Sequence, residues 1–260
     1  MASDNSDLTL AAGDLPEIVR KIRARTPARI LAGRAGAAYR TSTQMELREA
    51  HAAARDAVRE EFDIESTLGA AFVQRWEIFE AGTRATSKDQ YLLRPDLGRH
   101  FEDAAPAEIE SRCSRDNDLQ IAIGDGLSVP AVAAQVPPLL PLLLEGAKSR
   151  GWTIGRTFAI RYCRVGILNE IGELLKPRVA VLLIGERPGL ATAESLSAYM
   201  AYRPRAGHSD ANRNLISNIH ARGLRAQDAA TRILNFAALM MKAGTSGFAL
   251  REDSPALGDC

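Results

Sequence analysis

Cysteine is scarce in this chain of 260 residues, and its three positions follow no pattern. Cys113, Cys163 and Cys260 form an odd set at wide spacing, which argues against a disulfide framework. There is no Cys-x-x-Cys pair and no cluster of cysteine with histidine, so the sequence offers no zinc site. These absences predict a protein of a reduced compartment, the cytoplasm.

Aromatic residues and net charge are low as well. Aromatics make up 5% of the chain, and 33 lysines and arginines balance 32 acidic residues, for a formal net charge of +1. Nucleic-acid binding usually needs a basic surface and stacking aromatics, and the sequence provides neither. The longest apolar run, residues 136–144, is short and interrupted by proline, which predicts no membrane span. The N-terminus is polar and acidic, unlike a secretory signal.

Signatures of catalysis are also missing. The four histidines are scattered, and no Ser-His-Asp order, His-Glu-x-x-His or Walker sequence stands out. Gly124-Asp-Gly126 follows a predicted strand, but Val129 stands where a dinucleotide fingerprint needs its third glycine. The turn therefore fits a tight connection between strand and helix better than a nucleotide site. A stand-alone nucleotide-dependent α/β enzyme stays open as an alternative.

The chain does contain a repeated alternation of strand and helix from residue 119 onward. Short alternation predicts a strand at residues 119–123, a second strand is predicted at 157–163, and an apolar run with β-branched residues at its core predicts a buried strand at 178–184. Helices are predicted at residues 128–148, where prolines should break or kink the helix, at 166–175, from about 192, and at 227–243. This pattern predicts an α/β fold, a Rossmann-like parallel sheet with helices on both faces, with residues 247–250 at the sheet edge.

The part of the chain before residue 119 predicts a mainly helical extension. Residues 41–62 have helical spacing, with Ser42 or Thr43 available as a cap. We divide the chain into a flexible N-terminal arm (1–25), a mainly helical region (26–118) and an α/β domain (119–260). A short amphipathic segment in the arm fits a docking arm or a frayed end. The arginine-rich residues 26–40 fit a free loop or an interface.

The third predicted strand ends in a polar turn, Gly185-Glu-Arg-Pro-Gly189. Ligands of open parallel sheets bind beyond the carboxyl ends of the strands, so Glu186 and Arg187 are candidates for ligand contacts. The alternative is that both charges are simply solvated, as is usual in surface turns.

Several motifs in their order resemble one family. They are Arg25-Thr-Pro-Ala-Arg29, Gly33-Arg-Ala-Gly36, His51-Ala-Ala-Ala-Arg-Asp-Ala57, Ile123-Gly-Asp-Gly-Leu-Ser128, Arg164-Val165, Glu170-Ile-Gly-Glu-Leu-Leu175, Ile184-Gly-Glu-Arg-Pro-Gly-Leu190, Ser195-Leu-Ser-Ala-Tyr199 and Arg213-Asn-Leu-Ile-Ser-Asn218. No one motif is diagnostic, but the ordered set is similar to the small subunit of adenosylcobalamin-dependent ethanolamine ammonia-lyase and covers most of the chain.

The resemblance implies a function and a partner. Ethanolamine ammonia-lyase converts ethanolamine to acetaldehyde and ammonia by radical chemistry that the cofactor initiates. The large subunit, a TIM-type barrel, would hold the substrate, and the small subunit would bind adenosylcobalamin from the other side. A higher hetero-oligomer in the cytoplasm is implied. Ethanolamine-degrading systems can be enclosed in a bacterial microcompartment, for which the amphipathic segment of the arm would be an address peptide. A structural partner without cofactor contact is the alternative.

The resemblance also implies the cofactor-binding residues. Cobalamin contacts in the family lie at the positions of Val165, Glu186 and Leu215. Val165 would pack on the corrin edge, and Glu186 would accept a hydrogen bond from a corrin amide. Many relatives have cysteine at the position of Leu215, which leaves only a backbone or apolar contact here. No Asp-x-His-x-x-Gly is present, which implies that the cofactor keeps its own base (base-on).

Overall fold

The computed structural model describes residues 17–26, 32 and 34–250. A mainly helical part comes first along the chain, and a part in which strands and helices alternate follows it. The first part contains α1 Glu17–Ala24, β1 Arg34–Ala35, β2 Ala38–Tyr39, α2 Thr41–Arg59, α3 Ile64–Leu68, α4 Ala70–Arg75, β3 Phe79–Gly82, α5 Lys88–Leu93 and α6 Ala105–Arg112. The second contains β4 Leu119–Gly124, α7 Val129–Ser149, β5 Phe158–Arg161, α8 Leu168–Leu175, β6 Val179–Gly185, β7 Leu196–Tyr202, β8 Asn214–Ile219 and α9 Ala226–Ala243. Short 3₁₀ helices cover Leu97–Arg99, Val165–Ile167, Asp210–Asn212 and Gly247–Ala249.

A six-stranded sheet with the order β3-β5-β4-β6-β7-β8 organises the described part of the chain. The first four strands run parallel, and β7 and β8 are antiparallel additions beside β6. The apolar runs of β4 and β6 are buried along their whole length, as expected of central strands covered on both faces. The predicted fold class, an α/β protein with a mostly parallel sheet between helices, is confirmed.

Two separate apolar cores lie on the two faces of this sheet. The alternation of strand side chains sends Val181 and Leu183 to the face that α7 and α9 cover. Ala180, Leu182 and Ile184 point to the other face, which packs against α6 and α8. Helix α7, on the first face, connects β4 to β5, and α8, on the other face, connects β5 to β6. Successive connections therefore lie on opposite faces of the sheet. The doubly wound arrangement follows from this alternation.

The prolines after β4 were predicted to break or kink the helix, and the break does not occur. Helix α7 is continuous over 21 residues although Pro137, Pro138 and Pro141 lie inside it. Its buried residues pack on the sheet and on α9, and this packing offsets the hydrogen bonds that the prolines remove. Among the described residues, α7 is also the one helix long and apolar enough to cross a membrane, a property that core helices of globular proteins share.

Two predictions at the far side of the sheet are wrong too. No helix begins near residue 192, because residues 196–202 form β7, whose side chains are mostly buried between β6 and β8. Residues 247–250 do not extend the sheet, since Gly247–Ala249 is a 3₁₀ helix. These antiparallel strands give β6 a neighbour on its free edge without a crossover helix.

The region before residue 119 is mainly helical, as predicted, but it also contributes β3 to the sheet. Helix α2 lies where residues 41–62 predicted it, although neither Ser42 nor Thr43 caps it, since Arg40 occupies the cap position. The division into an arm, a helical region and an α/β domain stays a prediction. Residues 1–16, 27–31 and 33, which include most of the arm and much of the arginine-rich segment, lie outside the described residues.

Candidate functional site

The candidate site lies where β4, β5 and β6 end. The chain moves from β4 to β5 on one side and then crosses to β6 on the other, so the carboxyl ends of β4 and β6 flank the topological switch point. The residues that follow these strands, together with β7 and β8, form the site.

The turn after β4 closes against the end of β6. Leu127 donates a backbone hydrogen bond to the Gly185 carbonyl at 3.0 Å, and a Cβ added to Gly126 would lie 2.3 Å from that same oxygen. Glycine is required here by close approach and by its φ of +57°. Ser128 caps α7 by accepting a hydrogen bond from Ala131 at 3.2 Å. The tight-connection interpretation of this turn is therefore favoured over a phosphate cradle.

Asp125 in that turn is fully buried and serves the protein itself. One carboxylate oxygen accepts a hydrogen bond from the Cys163 amide at 2.7 Å, and the other lies 3.6 Å from the ammonium of Lys88, which is also buried. Burial raises the pKa of Asp125, and Lys88 opposes the rise. The hydroxyl of Tyr91 lies 2.8 Å from the Gly126 carbonyl and 2.9 Å from the Cys163 carbonyl. These contacts tie the ends of β4 and β5 to α5.

Val165 lies shortly after β5, two residues beyond Cys163, whose amide and carbonyl contact Asp125 and Tyr91. It begins the 3₁₀ helix Val165–Ile167, is half-buried and packs against the core under α8. The neighbouring Arg164 donates its backbone N–H to the Gly98 carbonyl at 2.8 Å and places its guanidinium 4.2 Å from the centre of the Tyr91 ring. The position of Val165 is thus set by the contacts of the residues just before it.

Glu186, the first residue after β6, is held by two donors. The Ser197 hydroxyl donates to Oε1 at 2.7 Å, and the Asn218 backbone N–H donates to the same oxygen at 2.9 Å. No donor from the described residues engages Oε2. A fixed carboxylate with one free oxygen is an arranged hydrogen-bond acceptor, so the simply solvated turn does not describe Glu186. Arg187 is exposed.

Leu215 lies within β8 and pairs with Tyr199 of β7. Tyr199 packs against the core on the α6 and α8 face, so the pair lies on that face of the sheet. Leu215 remains 47% exposed. The structure therefore places Leu215 as an exposed apolar side chain at the second position of β8.

Two adjoining cavities connect these residues. The smaller, about 230 Å³, is lined by Val165, Glu186 and Tyr199 among others, and the larger, about 660 Å³, shares Val165 and Tyr199 with it. Leu215 lies across the strand pair from Tyr199. Val165 and Glu186 are thus brought together, with Leu215 on the surface beside them.

Sequence reasoning missed the polar lining of the larger cavity. Arg99, His208 and Arg213 contribute to this lining, although they lie far apart in sequence. The Arg213 side chain is only 5% exposed, and its Nε is buried without a hydrogen-bond partner, as is Nδ1 of His208. Burial, Arg205 and Arg213 lower the pKa of His208. Arg213 did begin one of the family-like motifs, the one signal that could have pointed to it.

The fold and the site define a class of protein. It is an α/β protein that presents a ligand-sized cavity and a fixed acceptor at the switch point of its sheet. Within the described ranges, no group of three or more histidine, cysteine or acidic residues could hold a metal ion. Such a site can bind and orient a molecule, while nothing in it forms a nucleophile with its base.

Comparison with known proteins gives the family. The model of the ethanolamine ammonia-lyase light chain matches residues 16–251. The ethanolamine ammonia-lyase small subunit of Clostridium perfringens is 40% identical over 235 residues, covering 90% of this chain and 78% of that protein. The small subunit of Clostridium acetobutylicum is 38% identical over 90% of this chain and 95% of its own length. The chain belongs to the ethanolamine ammonia-lyase light-chain family and is a subunit of a lyase.

Proposed function

We propose that this chain is the small subunit of an ethanolamine ammonia-lyase that helps to bind adenosylcobalamin at its interface with the large subunit. The complex converts ethanolamine to acetaldehyde and ammonia, and the bound cofactor supplies the radical that initiates the reaction. In this proposal the large subunit binds the substrate and contacts its reacting atoms. The small subunit binds, orients and shields the cofactor.

The observation that carries the proposal is the single free oxygen of Glu186. Ser197 and Asn218 occupy Oε1, so Oε2 is left for a donor from outside the chain. A corrin ring carries amide side chains, whose N–H groups are donors of the required kind. Val165 and the exposed Leu215 offer apolar surface for the ring periphery. The residues present therefore fit the cofactor that the family implies.

Basic groups of the larger cavity fit the one anionic part of cobalamin, its phosphodiester. Arg99 and Arg164 both line this cavity, and neither has an ion-pair partner among the described residues. A guanidinium without a carboxylate is suited to hold a phosphate by charge-assisted hydrogen bonds. We place the nucleotide tail of the cofactor here, with its base retained.

Changing Arg99 to glutamine tests this placement of the phosphate. We expect binding of adenosylcobalamin by the assembled pair of subunits to weaken about tenfold, because a hydrogen bond to a charged group is lost. Binding of adenosylcobinamide, which lacks the phosphate and the nucleotide, should not change. Arg205→Gln is the matched control, since Arg205 is exposed on a neighbouring loop and does not line the cavity. Equal losses for both ligands, measured by equilibrium dialysis, would contradict the placement.

The setting of the complex is part of the proposal. We expect a higher hetero-oligomer of small and large subunits in the cytoplasm, enclosed in a microcompartment where such shells are made. Cys113 and Cys163 are free thiols, and both are buried. Burial raises the pKa of both thiols, so neither is poised for reaction.

Ammonia release from ethanolamine tests the proposed function. This chain co-expressed with its large subunit and supplied with adenosylcobalamin should release ammonia, and neither chain alone should do so. Glu186→Gln should weaken cobalamin binding by the pair, since an amide nitrogen replaces one of the two acceptor oxygens. A stable pair that turns over with unchanged cobalamin affinity in this variant would instead favour the structural-partner alternative.

A further inference from the structure

The turn that follows β8 is built around a buried histidine. His220 is 4% exposed. Its backbone N–H donates to the Leu224 carbonyl at 3.1 Å, and the backbone N–H of Gly223 donates to the His220 carbonyl at 2.9 Å. Leu224 donates to the Asn218 carbonyl at 2.8 Å, which closes the turn. A Cβ on Gly223 would lie 2.8 Å from Nε2 of the imidazole, so the ring is tightly enclosed.

The two ring nitrogens of His220 have different partners, which fixes the tautomer. The backbone N–H of Arg222 approaches Nδ1 at 3.2 Å, so Nδ1 must be the acceptor. The proton therefore lies on Nε2, which donates to Oδ1 of Asn218 at 2.7 Å. This arrangement requires a neutral ring, because a protonated imidazole has no acceptor nitrogen.

Asn218 connects this ring to the candidate site. Its backbone has a φ of +61°, a left-handed conformation that asparagine adopts more readily than most residues. In this conformation its N–H donates to Oε1 of Glu186 at 2.9 Å. The side chain of Asn218 is therefore held by His220, while its backbone amide holds the carboxylate of Glu186.

We propose that His220 is a positioning residue for the cofactor, which it serves by holding Asn218 so that Asn218 fixes Glu186. This inference rests on the proposed function, because it concerns the carboxylate proposed to bind cobalamin. His220 itself contacts no ligand. Its role is to keep Oε1 of Glu186 occupied and Oε2 directed outward.

The charges around His220 set the pH range in which this role holds. Burial and the neighbouring Arg222 lower the pKa of His220, while Glu186 and Glu194 oppose the shift. A lowered pKa keeps the ring neutral at pH 7. As the pH falls well below 6.5, protonation removes the acceptor at Nδ1 and the turn loses the Arg222 contact. Cobalamin affinity should therefore be constant above pH 7 and fall at acidic pH.

Two substitutions separate positioning from a general effect on folding. His220→Leu fills a similar volume without a donor, and we expect about a tenfold loss of adenosylcobalamin affinity in the assembled pair. In His220→Gln the amide nitrogen can replace Nε2 as donor to Asn218, the amide oxygen can replace Nδ1 as acceptor for Arg222, and neither group titrates. We expect this variant to stay within about threefold of the wild type, and its affinity should lack the acidic fall.

A double-mutant cycle with Glu186→Gln completes the test. If His220 acts through Glu186, His220→Leu causes little further loss once Glu186 is replaced. Full additivity of the two losses, or an acidic fall that persists in His220→Gln, would overturn the inference. No loss in Glu186→Gln alone would instead refute the proposed cofactor contact, so the two failures are distinguishable. Assembly of each variant is checked by size-exclusion chromatography.

Discussion

Replacing Lys88 with methionine is expected to lower the free energy of unfolding by about 3–5 kcal/mol, the range typical of breaking a buried ion pair. Methionine nearly keeps the volume of Lys88, so the loss arises from the carboxylate of Asp125, which stays fully buried without its cation. The second oxygen of Asp125 has no hydrogen-bond partner in the described structure to compensate. Urea denaturation at pH 7.5, followed by circular dichroism, measures the change.

The pH dependence of this variant identifies the cause. Burial already raises the folded-state pKa of Asp125, and loss of Lys88 raises it further, above the value of the unfolded chain. The penalty applies in full above the folded-state pKa and disappears as the pH falls toward the unfolded one. The deficit of Lys88→Met relative to the wild type should therefore shrink between pH 7.5 and pH 5.

Two further variants serve as controls for the buried pair. The double variant Lys88→Met with Asp125→Asn leaves no buried charge and keeps an acceptor for the Cys163 amide, so it should recover much of the lost stability. Asp89, the residue after Lys88, forms an exposed ion pair with Arg59. Asp89→Asn removes this pair and should lower the free energy of unfolding far less than Lys88→Met does. Equal effects of Lys88→Met and Asp89→Asn would mean that the unpaired charge of Asp125 is not the cause of the loss.

Local sequence patterns were enough to predict the centre of the fold. The run that became β6 is apolar, β-branched and bounded by a turn, so its burial could be predicted from composition. Alternation in residues 119–123 predicted β4 as a strand, but not its burial on both faces. The strand at residues 196–202 was harder to predict, because Leu196-Ser-Ala-Tyr-Met-Ala-Tyr contains small residues that also suit a helix. Their strand state depends on pairing with β6, which lies outside any local window.

The prolines of α7 also show that local sequence patterns miss the effect of tertiary packing. Local propensity predicts a break, but residues such as Val136, Leu139 and Leu140 are fully buried, and their packing outweighs propensity. Only the three-dimensional contacts of α7 with α9 and β6 reveal this.

The candidate site was only partly within reach of the sequence. Glu186 could be found because it directly follows a buried strand, and the family resemblance added Val165 and Leu215. The contact of Asn218 with Glu186 joins residues 32 positions apart, and that of Asp125 with Cys163 joins residues 38 apart. Such pairings depend on strand order and register, which single-sequence patterns do not encode.

Changing Val165 to aspartate is expected to reduce cobalamin affinity of the assembled pair about 100-fold, the largest functional effect we predict. Val165 lines both cavities, and an ionised carboxylate there would lose its water against the apolar edge of a bound corrin without gaining a partner. Val165→Thr, which nearly keeps the volume and adds no charge, is the matched control and should lose far less. Titration of adenosylcobalamin, followed by its visible absorption, measures both variants.

The cobalamin affinities of Val165→Asp and Val165→Thr distinguish a cofactor-binding subunit from a structural partner. Because Val165 is only half-buried in the isolated chain, aspartate at this position can be solvated until a ligand covers it. Assembly with the large subunit should therefore persist while cofactor affinity falls. If both variants bind cobalamin like the wild type and the pair of subunits stays intact, Val165 does not contact the cofactor, and the structural-partner alternative is favoured.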